Sequence, residues 1–336
     1  MESKAILLTG RAHIMKKQIV TAALSAAIAG SMLAATASAE DAQTYTVGIC
    51  QLVQHEALDA ATQGFKDALT DKFGDAVIFD EQNAQGDSNT CSTIINSFVS
   101  NGVDLILANA TASLQAAVAG TNEIPILGTS ITEYGVALEL DDFDGTVGGN
   151  VSGTSDLAPL DEQAAMLNEL FPDAKNVGLL YCSAEANSQY QVDTVKTELE
   201  DLGYSCEYYA FSDSNDLSSV VTTASSECDV IYIPTDNTAA SNVEIINNIC
   251  QPAGVPIIAG EEGICAGCGV ATLSISYYDI GRTTGEMAAK VLTGEADISE
   301  MPIEYAPTFV KKYNADLCES LNVEIPEGYE AIEAAQ

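Results

Sequence analysis

The sequence has no tryptophan, two histidines and only twelve basic residues against 49 acidic ones. Each scarcity excludes something. Beyond residue 39 the one histidine is His55, so a Ser-His-Asp triad has a single possible base and a histidine-built metal centre lacks ligands. Four of the twelve basic residues and one of the 49 acidic ones fall in residues 1–39, which leaves eight and 48 and a formal charge of −40. Such a surface repels nucleic acid and anionic lipid, both of which are bound through Lys and Arg clusters. After residue 39 no run approaches the ~20 apolar residues of a membrane-spanning helix. No glycine-rich phosphate loop is present, and no cofactor is expected.

What is present begins with an export signal. From Met15 the chain reads MKKQIVTAALSAAIAGSMLAATASAED, a lysine pair, an apolar core and then the small-x-small pattern Ala37-Ser38-Ala39. This predicts a start at Met15, cleavage after Ala39 and a periplasmic or otherwise extracytoplasmic location. Nine cysteines is a large number for an exported chain. Cys265 and Cys268 form one CxxC, and buried thiols or a local disulfide are expected there rather than a metal site, since too few further ligands are available.

The mature sequence alternates strand and helix patterns. TYTVGICQLV (44–53) reads as a strand. The helix that follows, 55–74, carries Leu58, Ala61, Phe65, Leu69 and Phe73 on one stripe. Further strands are expected at VDLILANA and IPILGTS (124–130). The order then repeats from NVGLLYC (176–182), with Val47, Asp104 and Pro125 answered by Val177, Asp229 and Pro256 at separations of 130, 125 and 131 residues. A duplicated βαβ array of this kind gives an α/β fold of two doubly wound parallel-sheet lobes, because parallel strands need helical crossovers. The expected division is 44–150 plus 275–302 for lobe I and 151–274 plus 303–330 for lobe II, joined by a multi-strand hinge.

In parallel sheets ligands bind outside the carboxyl ends of the strands, where loops lead into helices. Both VDLILANATAS and CDVIYIPTDNTAAS place small polar residues there. One cleft lined by both lobes is therefore expected.

The segments HEALDA, GDSN, NVSGTSD, EANS, PTDNT, EEG and YYDIGRTTGEMAAKVL, in this order over about residues 44–325, resemble the ABC-transporter substrate-binding proteins of the periplasmic-binding type I fold. The nearest branch includes members that bind amino acids such as tryptophan and phenylalanine. The resemblance implies a monomeric binding protein, not an enzyme, that closes on a small molecule and delivers it to an ABC permease and its ATPase. Glu56 stands where many relatives carry Pro, and Cys91 where relatives tend to be apolar.

An amino-acid ligand brings one carboxylate and one ammonium. Backbone amides and hydroxyls at helix N-termini suit the first, with Thr111 and Ser130 as candidates that could equally be ordinary caps. A carboxylate suits the second: Asp236 with Asn237, or Glu261 in EEG, although Asp236 could be only a cap. Asp156 in SGTSD and Asn187 in EANS complete the set. His55 could touch the ligand or simply cap and pack the first helix. Arg282 is expected in a structural salt bridge. Two other readings stay open: the same fold holding a sugar, stacked on Tyr134, Tyr181 or Tyr190, and a hydrolase using Glu261 and Glu262.

Overall fold

The computed structural model describes residues 43–332. The predicted signal segment and its cleavage site lie outside the described residues. Within them the strands are β1 (Tyr45–Gln51), β2 (Val77–Asn83), β3 (Leu105–Asn109), β4 (Ile126–Ile131) and β5 (Val151–Ser155), then β6 (Asn176–Cys182), β7 (Ser205–Phe211), β8 (Val230–Ile233), β9 (Ile257–Ala259) and β10 (Ala271–Ser274). Three short strands close the chain: β11 (Glu304–Tyr305), β12 (Val310–Tyr313) and β13 (Glu330–Ala331).

The first sheet runs β2-β1-β3-β4-β5-β11 and the second β7-β6-β8-β9-β10-β12-β13. The first five strands of each share the order 2-1-3-4-5, whose reversal beside the first strand opens a crevice at the carboxyl ends. The ladders are parallel except for β10 with β12.

The duplication has a physical basis in the landmark residues. The Asp104 carboxylate accepts from the Thr46 amide at 2.7 Å, and the Asp229 carboxylate from the Asn176 amide at 2.9 Å. In each lobe an acid just ahead of the third strand thus ties down the start of the first. Ile106 and Ile231 then donate to the carbonyls of Pro125 and Pro256, which sets the register of the next strand.

The helix Glu56–Phe73 buries Leu58, Ala61, Phe65 and Leu69 of the stripe expected from the sequence, and its last member, Phe73, is partly buried. Each large side chain on it contributes about 1.5–3 kcal/mol by leaving water. Its partner is the helix Tyr277–Leu292, and the two approach very closely. A Cβ on Gly281 would lie 2.0 Å from the Ala61 carbonyl oxygen, so only glycine allows that crossing.

Two elements correct the expected boundaries. Val151–Ser155, expected at the start of lobe II, pairs with β4 in the first sheet. β11, expected in lobe II from residue 303, pairs with β5 and belongs to the first sheet as well. VSGTS lacks an apolar signature because its buried hydroxyls bond instead: Ser152 to the Met301 carbonyl at 3.0 Å and Ser155 to the Thr132 carbonyl at 2.8 Å. The chain crosses between the sheets near Asp156, at 275–276 and at 306–309.

The helix Glu262–Cys268 had no periodic signal, and it carries the CxxC. All nine cysteines are free thiols, eight of them buried and Cys228 partly exposed. Among the described residues no group of His, Cys, Asp and Glu is placed to hold a metal, and no helix is long and apolar enough to cross a membrane.

Candidate ligand-binding site

The carboxyl ends of the two sheets face each other, and a cavity of about 20 Å³ lies between them. Seven of the eight residues expected from the sequence line it: His55, Ser130 and Asp156 from the first lobe and its exit, and Asn187, Asp236, Asn237 and Glu261 from the second. Thr111 is the exception. The chain turns at Ala110 with φ +84°, the Thr111 side chain packs inward at 5% exposure, and Ala112 instead faces the mouth of the cleft. Thr132, Thr235 and Tyr277 also line the cavity and were not anticipated. The first two sit within two residues of chosen positions, and Tyr277 opens the YYDIG segment, where its ring reads as helix core.

The carboxylates differ in what they already hold. Asp236 caps the short helix Asn237–Ala240: its Oδ1 accepts from the Ala239 amide at 2.8 Å and its Oδ2 from the Cys182 amide at 2.7 Å. Glu261 caps the helix Glu262–Cys268, accepting from the amides of Gly263 and Ile264. Glu262 turns away from it to Lys312 and Ser274, so the two glutamates do not face each other as a catalytic pair. Asp156 is different. Its Oδ2 accepts from the Tyr277 hydroxyl at 2.9 Å, while its Oδ1 is buried without a protein partner.

Two more cavity atoms share that condition. The Asn187 amide donates to the Thr235 carbonyl at 2.9 Å, which turns its oxygen away from that bond, and that oxygen has no partner. The Ser130 hydroxyl, on a residue with φ +55°, has none either. Buried polar atoms are nearly always paired, because leaving one unpaired costs about 1–3 kcal/mol. Three such oxygens around one small cavity mark a place built to receive donors. Among the described residues, those lining it include no lysine or arginine.

Burial sets the electrostatics. It raises the Asp156 carboxyl, against the pull of the Tyr277 hydrogen bond and of the nearby Thr132 hydroxyl. It also raises Asp236, helped by the nearby Glu185 carboxylate, and lifts Glu261 to about 7. The His55 imidazole is pushed down by the same burial. His55 Nε2 lies 3.2 Å from Asn237 Oδ1, and the Asn237 amide nitrogen donates to Glu185 at 2.8 Å. The asparagine oxygen therefore faces the imidazole, and neutral His55 carries its proton on Nε2.

Other candidates fall outside the cavity. Arg282 pairs with Asp71 at 3.0 Å on the surface, the structural role expected of it. Tyr134 is fully buried, donating to the Thr154 carbonyl at 3.1 Å. Tyr181 packs edge-on against Tyr208, with 5.9 Å between ring centroids.

Residues 46–334 match the model of the ABC transporter substrate binding protein family. The chain belongs to that family. A tyrosine-binding protein of Clostridioides difficile is 37% identical over 263 residues, 76% of this chain and 75% of that protein. An ABC domain from Streptococcus pneumonia, solved in complex with L-Trp, is 31% identical with a TM-score of 0.82, covering 86% of this chain and 100% of that one. The ligand-free, open structure of a substrate binding protein from Clostridium difficile is 35% identical but has a TM-score of 0.66, covering 87% and 100%. Overlap is thus better with the complex than with the ligand-free, open structure despite lower identity to the former. The fold is the periplasmic-binding type I fold, and members of the family work outside the cytoplasm as the solute-binding component of an ABC importer.

Proposed function

We propose that this substrate-binding protein captures an amino acid, an aromatic or other apolar one, and performs no chemistry on it. The observation that carries this reading is the trio of unpartnered buried oxygens, Asp156 Oδ1, Asn187 Oδ1 and Ser130 Oγ, around one cavity. An α-ammonium supplies three N–H donors and a positive charge, which matches one carboxylate and two neutral acceptors. A neutral polyol would leave the Asp156 charge buried without a counter-charge. The ligand carboxylate is assigned to hydroxyls of the site and to the amides that begin the helix Thr111–Gly120, whose capping residue, Ala110, offers no side chain to satisfy them. Apolar wall for a side chain is available at the cleft mouth, from Leu52, Val53 and Ala112 facing Ala184.

A cavity of about 20 Å³ admits roughly one water-sized sphere, so an amino acid enters only when the lobes part. Closure then follows from tighter binding to the closed form. The chain would be exported as a monomer, and its closed, loaded form recognised by a permease with its ATPase. The acidic surface and the relatives that carry amino-acid ligands support this assignment. Titration calorimetry against the common amino acids, with native mass spectrometry of the purified protein, tests it. Binding of L-tyrosine, L-tryptophan or L-phenylalanine at micromolar or tighter affinity is the expected result. Binding of a sugar instead, with no amino acid bound, would overturn it.

A further inference from the structure

Tyr277 stands where the hinge and the ligand cavity meet. It is the first residue of the helix Tyr277–Leu292, immediately after the second crossing between the lobes, and is 7% exposed. Its ring belongs to a small apolar cluster with Ile275 of the same crossing, Ala57 and Ala61 of the first lobe's leading helix, and Ala306 and Phe309 of the third crossing. Its hydroxyl reaches Asp156, which follows β5 at the first crossing, at 2.9 Å. This residue therefore bonds to the first crossing, directly follows the second, and sits in an apolar cluster against which the third packs.

The geometry points to Tyr277 as the positioning residue that ties ligand recognition to the hinge, holding one oxygen of Asp156 so that the other faces the ligand. The inference rests on the reading of Asp156 as the ammonium acceptor. When the lobes part, the crossings rotate, and the hydroxyl donor moves with its own segment. The direction of the free Asp156 oxygen then depends on hinge angle. A ligand bound to that oxygen favours the angle at which the donor is in place, and this is a coupling between occupancy and closure. Tyr277 does not need to touch the ligand for this.

The test uses Tyr277→Phe, which keeps the ring in its cluster and removes only the hydroxyl. L-Tyrosine and L-tryptophan affinities are measured by calorimetry from pH 5 to pH 8, and ligand-induced compaction by small-angle scattering. Losing a hydrogen bond to a charged group is expected to weaken binding roughly tenfold or more. It should also move the loss of binding at acid pH to higher pH, because Asp156 loses a donor that favours its ionised form. His55, Asp236, Glu261 and Tyr134 also face Asp156 and are unchanged in the variant. A merely structural tyrosine would lower melting temperature without moving the acid limb. Asp156→Asn, which leaves the Tyr277 ring untouched, gives a second reading: weaker binding with the acid limb reduced to the part His55 contributes, or binding below detection. If wild-type protein binds no amino acid, the amino-acid reading falls and this one with it. If wild-type protein binds and Tyr277→Phe matches it in affinity and acid limb, or Asp156→Asn keeps the acid limb at its full wild-type size, this inference alone is overturned.

Discussion

His55 of the first lobe and Asn237 of the second are joined across the cleft, Nε2 to Oδ1 at 3.2 Å, and the Glu185 carboxylate behind Asn237 fixes which way the asparagine points. A second bond crosses nearby, between the hydroxyls of Thr132 and Thr235 at 3.3 Å. Both exist only while the lobes are closed. They are the direct polar contribution to closure beside the cavity, and their removal shows how far closure depends on them.

His55→Ala is expected to weaken amino-acid binding by roughly three- to tenfold, since a neutral hydrogen bond contributes about 0.5–1.5 kcal/mol and here acts only in the closed form. Scattering of the ligand-free variant should shift toward a larger radius. The pH sign follows from burial, which pushes the imidazole below its ordinary value of 6.5, opposed by Asn237, Glu185 and Asp59. In the open form the ring is better solvated and holds a proton more readily, so acidification through that region favours opening. A variant with wild-type affinity and radius would remove His55 from the closure mechanism.

Asp236 and Asp156 separate structure from recognition. Asp236→Ala removes an N-cap and leaves the buried Cys182 amide unpaired, for an expected loss of about 1–4 kcal/mol in stability. Asp156→Ala removes an acceptor that holds no amide of another residue, and its main effect should be a loss of affinity of tenfold or more. Thermal melts paired with calorimetry on both variants check this. The reverse pattern would return the ammonium to Asp236.

Stability without ligand should fall as pH rises from about 4.5 to about 8. Glu261 is raised to about 7, and Asp236 and Asp156 are raised as well, each chiefly by burial. A carboxyl whose folded value lies above its unfolded one binds more protons when folded, so its contribution is complete below the unfolded value and disappears as pH rises through the folded one. The net charge of −37 acts in the same direction through self-repulsion. Melting curves across this range, with Asp236→Asn flattening the slope, are the measurement. A melting temperature that climbs with pH would mean these groups are not raised.

The strands that pack on both faces were legible because burial there leaves a plain chemical trace: LILAN and VIYI are apolar or nearly so, and the landmark acids ahead of them recur. VSGTS left no such trace, because its buried hydroxyls bond to backbone and to the hydroxyls of Thr129 and Thr284, and an alternation rule has no way to register a polar strand whose partners lie 23 to 150 residues away. The site was legible as a set of loops at strand ends. Which carboxylate in it stays free was not, since a sequence shows an acid before a helix in Asp236 and Glu261 but not how many lone pairs the backbone already uses. Tyr277 was hidden for a related reason, its ring serving the core and only its hydroxyl the cavity.

Gly153 gives the sharpest test of why β5 sits where it does. Its φ is +147°, which side chains rarely adopt, and a Cβ there would lie 2.2 Å from the Gly128 carbonyl oxygen and 2.4 Å from the Tyr134 hydroxyl. Neither neighbour can retreat: Gly128 is in the adjacent strand, paired with Gly153 itself, and Tyr134 is locked by its bond to Thr154. Gly153→Ala must therefore separate β5 from β4 as well as strain the backbone, for a loss of about 4 kcal/mol or more. At roughly 2–4 °C per kcal/mol for a chain of this size, the melting temperature should drop by about 10 °C. Because Asp156 directly follows β5, the folded variant should also bind ligand more weakly, and calorimetry well below the melt reads that separately. A shift under about 2 °C would mean β5 can move away from β4 without loss, and the placement of Asp156 by that strand would have to be abandoned.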